Sequence, residues 1–333
     1  MKLATAANNS PDGKLVVVSG DGSRFLVPET FRTLQQAIEN WPSAQDQCLA
    51  LAQRLEAGEG QSTEGLHLIA ALPRAWQWLD GSAFPSHGKL MQEAFKLPPI
   101  EYEKPLMYQG MSHLFHGPTD DIPFMYEEDG IDFEGEFGVI VDAVPMGTTA
   151  EEAMAHIKLL VQINDWSLRK LAPEEMKTGF GWIQAKPACS MAPLAITPDE
   201  AGEAWCDGRL NLDMTVDWNG ARFGSPNGKA MEVGFHELVA HAAATRPLCA
   251  GTIIGSGTVS NDNFREVGST CIAERRGMEI VDEGVAKTGF MQFGDRVRME
   301  VRSADDLLLF GAIDQQVIRQ CRVAAPPALP GLK

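Results

Sequence analysis

Asp132, Glu134 and Glu136 stand at every second position of IDFEGEFGVIVDAV, residues 131–144. On a strand, side chains alternate between faces, so these three carboxylates share one face and Phe133, Phe137, Val139 and Val141 the other. Like charges side by side on a strand repel. Asp165, in INDWSLRK, adds a carboxylate just past a predicted helix. Carboxylates that converge in a folded domain stay ionised together only when cations compensate them. A hard divalent ion held by oxygens would do so, and Mg²⁺, Ca²⁺ or Mn²⁺ matches that donor set better than zinc. The residues alone also fit a solvated strand face, the commoner setting for glutamate.

Other side chains offer chemistry with less context. WLDGSAFPSH places His87 seven residues after Asp80. A histidine in a loop beside bound metal is a candidate general base, because its ordinary pKa lies near working pH. A surface histidine beside a proline reads equally well. Lys186, in WIQAKPACS, lies in a largely uncharged stretch, which suits either a buried functional lysine or an edge-strand lysine. FHELVAH suggests a zinc helix, but His236 and His241 are five residues apart. That separation is roughly 140° around a helix, so one unbroken helix cannot aim both at one metal. GTIIGSGTVS lacks both the G-x-G-x-x-G spacing and a following Walker lysine.

The elements that must position these groups follow from pattern. KLVVVSGDGSRFLV reads as a hairpin around Gly20-Asp21-Gly22. Thr33 and Gln36 form a capping box for a helix interrupted at Pro42 and resumed until Gly58. GEGQSTEG, residues 58–65, reads as a linker. Beyond it, RLNLDMTVDWNGARFG alternates at Leu210, Leu212, Met214 and Val216 and turns at Asn219-Gly220, and DRVRMEV alternates at Val297, Met299 and Val301. Twin capping boxes, Thr148 with Glu151 and Thr149 with Glu152, predict a helix running towards Ile163, and VGFHELVAHAAA predicts another. Strands do not alternate regularly with helices, which argues for a mixed, mainly antiparallel sheet and against a doubly wound one. The predicted class is α+β, mainly β: a small N-terminal α+β domain over 1–72 and a mixed β-sandwich or roll catalytic domain over 73–333.

Composition narrows the function classes. Of 333 residues, 44% are apolar and 22% charged, ordinary values for a globular enzyme. The net charge of −17 argues against nucleic acid or an anionic membrane as partner. No apolar run approaches the roughly 20 residues of a membrane span, and the first residues lack the apolar core of a secretory signal. Six scattered cysteines without a CxxC pair suit a reducing cytoplasm.

Taken in order, DGSAFPSH, PLMYQG, DFEGEFGVIV, INDWSLRK, QAKPACS, IIGSGTVS, GSTCIAE and LFGAIDQ resemble the fumarylacetoacetate hydrolase family, its bacterial members above all. ExE followed by NDWSxR is the specific pair. The resemblance implies a Mg²⁺ or Ca²⁺ site, with Mn²⁺ as an alternative, held by Asp80, Glu134, Glu136 and Asp165. Asp132 has no ligand role in that scheme. It implies His87 as the water-activating base and Glu274 as its partner acid. Tyr108, Gly257 and Thr258 would contact substrate, and Arg169 and Lys186 would stabilise developing charge. The family's glutamine after NDWSxR is replaced here by Ala172, and the lid glutamate of its decarboxylating relatives by Leu90. The activity implied is cleavage of a C–C bond in a 1,3-diketo acid such as fumarylacetoacetate, in aromatic amino-acid catabolism, by a cytoplasmic homodimer. An oxo-acid hydratase, decarboxylase or isomerase of the same fold is the alternative, and a non-catalytic metal-stabilised binding protein is a second.

Overall fold

Residues 135–141 of the acidic stretch lie inside a large sheet, and residues 131–132 pair in a separate two-stranded one. The structure is a computed structural model and describes residues 1–98 and 103–321. The last part of the 73–333 segment, 322–333, lies outside the described residues.

The chain begins with β1 (Lys2–Ala6), β2 (Lys14–Val18) and β3 (Arg24–Leu26). It continues with α1 (Leu34–Glu39), α2 (Trp41–Glu56) and β4 (Gln61–Ser62). Thr33 caps α1 by accepting the Gln36 amide. Pro42 opens α2 in its first turn, where a missing N–H loses no helical bond. Then follow β5 (Trp78–Gly81), α3 (Pro85–Phe95), β6 (Met107–Gln109), β7 (Ile122–Phe124), β8 (Ile131–Asp132) and β9 (Gly135–Val141). Next are α4 (Ala150–Met154), β10 (Ile157–Asn164), β11 (Ser167–Leu168), α5 (Ala172–Thr178), β12 (Ser190–Met191) and β13 (Leu194–Ile196). The remainder holds β14 (Trp205–Cys206), β15 (Arg209–Leu210), β16 (Thr215–Trp218), β17 (Ala221–Gly224), α6 (Phe235–Ala243) and β18 (Thr252–Gly255). It ends with α7 (Phe264–Val267), α8 (Ile272–Glu283), β19 (Arg296–Arg302) and β20 (Leu308–Arg319).

Two sheets organise these elements. The larger runs β4-β3-β2-β1-β13-β10-β9-β18-β5-β6, with β12 also paired to β10, and the smaller runs β17-β16-β19-β20-β7. Only β18–β5 and β20–β7 are parallel among the described strand pairs. The α+β, mainly β class expected from sequence is therefore the one observed. The N-terminal stretch joins the same sheet, because β1 pairs with β13.

Burial on both faces explains the strongly apolar centre. Phe137, Val139 and Val141 of β9 pack with Val216, Met299 and Phe310 of the smaller sheet. Ile140 of β9 and Leu159, Val161 and Ile163 of β10 pack with Leu34, Ile38, Trp41 and Leu51 of α1 and α2. Each such aliphatic side chain is worth about 1.5–3 kcal/mol of transfer free energy.

Three sequence expectations need correction. The helix predicted to run towards Ile163 stops at Met154, and 157–164 is the central strand β10. The capping box is real but single: Glu152 accepts the Thr149 amide and hydroxyl, whereas Thr148 donates to the Pro145 carbonyl. A strand buried on both faces shows a continuous apolar run, whose period cannot be told from a buried helix. The 131–144 stretch is not one strand. It breaks between β8 and β9, where Glu134 makes an isolated bridge to Cys271. The alternation from Leu210 to Val216 is likewise divided, between β15 and β16. The turn beyond it is as read: Asn219 and Gly220 both take positive φ, 51° and 78°, as a type I′ hairpin turn requires.

Candidate active site

Four adjacent strands, β10-β9-β18-β5, bring the carboxylates together. Glu136 lies on β9 opposite Ile163, and Asp165 follows directly after β10. Asp80 lies on β5 opposite Gly255. Ligand oxygens of Asp80, Glu136 and Asp165 all lie within 4.8 Å of one another, and all three residues are buried. Gly255 makes room for Asp80, and Gly257 for the backbone that follows it. A Cβ at Gly255 would collide with Asp80 Oδ1, and at Gly257 one would stand 2.6 Å from the Gly81 carbonyl. Gly257 also has φ of 77°, a conformation glycine adopts without strain. Its amide donates to Asp80 Oδ1 at 3.0 Å.

Glu134 faces a different set of partners. Its Oε1 accepts from Lys186 Nζ at 2.7 Å and from Ser167 at 2.6 Å, and lies 2.8 Å from Arg169 Nη2. Its Oε2 accepts from the Thr258 hydroxyl. Lys186 Nζ reaches across to Asp165 Oδ2 at 2.6 Å, and Tyr108 donates to the same oxygen at 2.5 Å. The Cys189 thiol donates to Asp165 Oδ1 at 2.9 Å. Asp132 is turned away from this group. It accepts Arg169 Nε at 2.7 Å and the Ile272 and Ala273 amides at 2.7 and 2.9 Å, and so anchors the start of α8.

The electrostatics follow from this arrangement. Burial, then the charge of Asp165, pushes the Asp80 carboxyl well above its ordinary value. Burial, then Asp80 and Asp165, does the same to Glu136. Burial would also raise Glu134, but Arg169 and Lys186 outweigh it and hold Glu134 low. Burial would lower Lys186, yet Asp165 and Glu134 hold its ammonium above the ordinary range. Five buried carboxyl groups, Asp80, Asp132, Glu134, Glu136 and Asp165, thus share two cationic side chains, Lys186 and Arg169.

Both oxygens of Glu136 are buried without a hydrogen-bond partner. Orphaned acceptors at zero exposure are costly, and three convergent carboxylates are a hard-cation donor set. The residues present therefore fit a divalent cation at Asp80, Glu136 and Asp165. The oxygens of Glu134, the fourth expected ligand, are taken by Lys186, Arg169, Ser167 and Thr258.

His87 stands in the first turn of α3, not in a loop as its proline neighbour suggested. Pro85 opens the helix there, a position proline favours. His87 Nδ1 lies 3.5 Å from Oε1 of Glu274, which is buried at the start of α8. The 257–260 segment links this pair to the acids. Gly257 bonds Asp80, Thr258 bonds Glu134, and the Ser260 hydroxyl donates to Glu274 Oε1 at 2.5 Å.

All of the expected site residues have neighbours in this constellation. Sequence reasoning passed over Ser167 and Cys189, although both lie inside quoted motifs. It also missed Trp182, whose ring meets Tyr108 edge-on at 4.8 Å and lies 5.9 Å from Lys186 Nζ. Of the other histidines, His236 and His241 stand on α6, and no metal-binding group among the described residues includes them.

Comparison with known proteins gives a consistent family. The model described as fumarylacetoacetate (FAA) hydrolase C-terminal matches residues 77–318, and that of the fumarylacetoacetase N-terminal domain 2 matches residues 1–74. A 2,4-didehydro-3-deoxy-L-rhamnonate hydrolase of Sphingomonas sp. (strain SKA58) is 27% identical over 163 residues, 48% of this chain and 54% of that protein. The mitochondrial oxaloacetate tautomerase FAHD2B of Bos taurus is 25% identical over 159 residues, 47% of this chain and 48% of that protein. The chain thus spans about half the length of the curated relatives it matches. In fold, it resembles the maleylpyruvate hydrolase of Sphingobium sp. SYK-6, solved with manganese(II) and pyruvate. That likeness has a TM-score of 0.65 and 17% identity, covering 96% of this chain and all of the other. A probable 2-hydroxyhepta-2,4-diene-1,7-dioate isomerase of Mycobacterium abscessus gives the same TM-score at 18% identity, with 96% and 100% coverage. With one family model matching residues 77–318, where these carboxylates lie, and its N-terminal companion matching 1–74, the chain belongs to the fumarylacetoacetate hydrolase family.

Proposed function

We propose that the protein is a divalent-cation-dependent hydrolase that cleaves a C–C bond in a 1,3-diketo acid. The observation that carries this reading is the 257–260 segment, which ties a three-carboxylate cation site to a histidine–glutamate pair. A cation bound at Asp80, Glu136 and Asp165 would polarise the substrate's oxygens as a Lewis acid. His87, oriented by Glu274, takes a proton from water, whose oxygen adds to a substrate carbonyl. The C–C bond then breaks, one fragment leaving as a carboxylic acid and the other as a carbanion that takes up a proton. Lys186 and Arg169 place fixed positive charge where that negative charge develops. Tyr108, Gly257 and Thr258 orient the acid tail.

Leu90 supports hydrolysis over the decarboxylating alternative. It is buried on α3, 3% exposed, and offers no acid for a lid. Ala172, at the head of α5, stands where the fumarylacetoacetate hydrolases proper carry a leaving-group glutamine, so the substrates tested extend beyond fumarylacetoacetate. The test is a panel of acylpyruvates with fumarylacetoacetate, assayed with Mg²⁺, Mn²⁺ or Ca²⁺ and with chelator. Two carboxylate-bearing products per substrate, lost on chelation, support the reading. Ketonisation without bond cleavage would make the protein an oxo-acid isomerase instead. The homodimer expected from the resemblance is likewise a proposal, tested by sedimentation equilibrium.

A further inference from the structure

We propose that Ser260, backed by Ser86, is the positioning residue that fixes the tautomer and aim of His87, an inference that rests on His87 being the base. Ser86 Oγ donates to Ser260 Oγ at 2.8 Å, and Ser260 Oγ donates to Glu274 Oε1 at 2.5 Å. That same oxygen lies 3.5 Å from His87 Nδ1, which is buried and has no hydrogen-bond partner of its own, so the carboxylate stands as the acceptor beside it. Ser86 and His87 are consecutive residues, so the contacts close a ring: His87, Glu274, Ser260, Ser86 and back through one peptide bond. Ser269 Oγ reaches the other carboxylate oxygen, Oε2, at 2.5 Å and the Cys271 carbonyl at 2.9 Å, so its one proton serves these two acceptors.

The direction of the ring follows from proton counting. A hydroxyl has one proton to donate. Ser86 gives its proton to Ser260, and Ser260 gives its own to Glu274. Glu274 therefore accepts the Ser260 hydroxyl on Oε1, shares that of Ser269 on Oε2, and presents His87 with an acceptor. An acceptor facing Nδ1 selects the ring form with the proton on Nδ1 and leaves Nε2 free to take a proton from water. Ser86, Ser260, Ser269 and Glu274 are at most 5% exposed. Water therefore does not compete for these bonds, and burial makes each count. The ring also joins three elements, since Ser86 and His87 lie on α3, Ser260 follows β18 and Glu274 lies on α8.

The experiment uses the full chain loaded with Mg²⁺, with ¹⁵N-labelled histidine and steady-state kinetics on whichever substrate the panel identifies. The His87 signals are assigned by their loss in His87→Ala. For Ser260→Ala, kcat should fall roughly ten- to a hundredfold, the worth of one hydrogen bond to a charged group, with KM and Mg²⁺ affinity within about twofold of wild type. The ¹⁵N shifts should move from the Nδ1–H form to a mixture of tautomers. Ser86→Ala should repeat both effects more weakly, and it carries the test alone if Ser260→Ala does not fold. Unchanged His87 tautomers in the folded variants overturn the proposal, whatever happens to the rate. A tautomer shift in Ser260→Ala beside wild-type turnover in His87→Ala would sustain the positioning role and overturn only the reading of His87 as base.

Discussion

The Lys186 ammonium lies 2.6 Å from Asp165 Oδ2 and 2.7 Å from Glu134 Oε1, with all three side chains nearly or fully buried. One cation thus bridges two carboxylates that face different partners, one in the three-acid cluster and one held by Arg169 and Thr258. Removing the ammonium takes from Asp165 its cationic partner and leaves Glu134 with Arg169 alone. Lys186→Met is expected to lower unfolding free energy by about 3–5 kcal/mol, the usual result of breaking a buried pair. Urea denaturation of the metal-free protein measures this, and a loss under about 1 kcal/mol would mean that solvent reaches the pair.

Cation binding should stabilise the protein more at high pH. Asp80 and Glu136 have folded-state values raised above their ordinary 3.8 and 4.5. The folded metal-free chain therefore holds protons that the unfolded chain releases, and its stability falls as pH rises through the raised values. A cation competes with those protons, so its stabilisation grows as they leave. At a hundredfold excess over Kd the gain is about 2.7 kcal/mol. Melting curves with and without Mg²⁺ at about pH 5 and about pH 8 should show the larger shift at the higher pH. Equal shifts would place the ion elsewhere.

Glu136→Gln isolates the same effect. It keeps the shape and removes one of the converging charges. The metal-free protein should gain about 1–3 kcal/mol at neutral pH, while the Mg²⁺-dependent melting shift disappears. A shift that survives the substitution would remove Glu136 from the ligand set.

His87→Ala should lower kcat by about 10²–10⁴-fold with KM little changed, as expected for loss of a general base. His113 is exposed and His116 is packed beside Ser190, and alanine at either should leave kcat near normal. A collapsed rate in one of these, beside normal turnover in His87→Ala, would move the base to the 113–116 loop.

Thiol reactivity should divide the cysteines evenly. Cys206, Cys249 and Cys321 are exposed, and Cys48, Cys189 and Cys271 buried. Burial also raises the Cys48 thiol to about 11, so little thiolate forms there near neutrality. A chromogenic disulfide reagent should titrate three thiols in the native protein and six in denaturant. A fourth rapid thiol would reveal local opening.

The sequence displayed the acids and the candidate base because their identities and spacing survive without any geometry. Glu136 and Asp165 could be paired on chemistry alone, and the hairpin at Asn219-Gly220 was legible because only certain residues accept that turn. Other features depend on tertiary neighbours. The β10 segment looked helical because it follows a real cap at Thr149 and is apolar on both faces. The break at Glu134 is set by pairing with Cys271, far along the chain. Ser260 and Ser269 lie inside IIGSGTVS and GSTCIAE, but neither motif shows a partner for them, and their contacts emerge only when two loops close on Glu274. Glu134 looked like one more ligand, and only the placement of Lys186, Arg169, Ser167 and Thr258 gives its oxygens other partners.

The pairing of β1 with β13 bears on how the chain can be cut. Severing it after residue 74 would strip the hydrogen-bonding edge of β13 and uncover the face of β9 and β10 that α1 and α2 protect. A fragment beginning there would present bare strand edge and greasy surface together, the combination that drives proteins into aggregates. Dissecting the proposed site into a minimal unit thus runs against the architecture, even though every carboxylate, histidine and lysine assigned to it lies on the retained side of the cut.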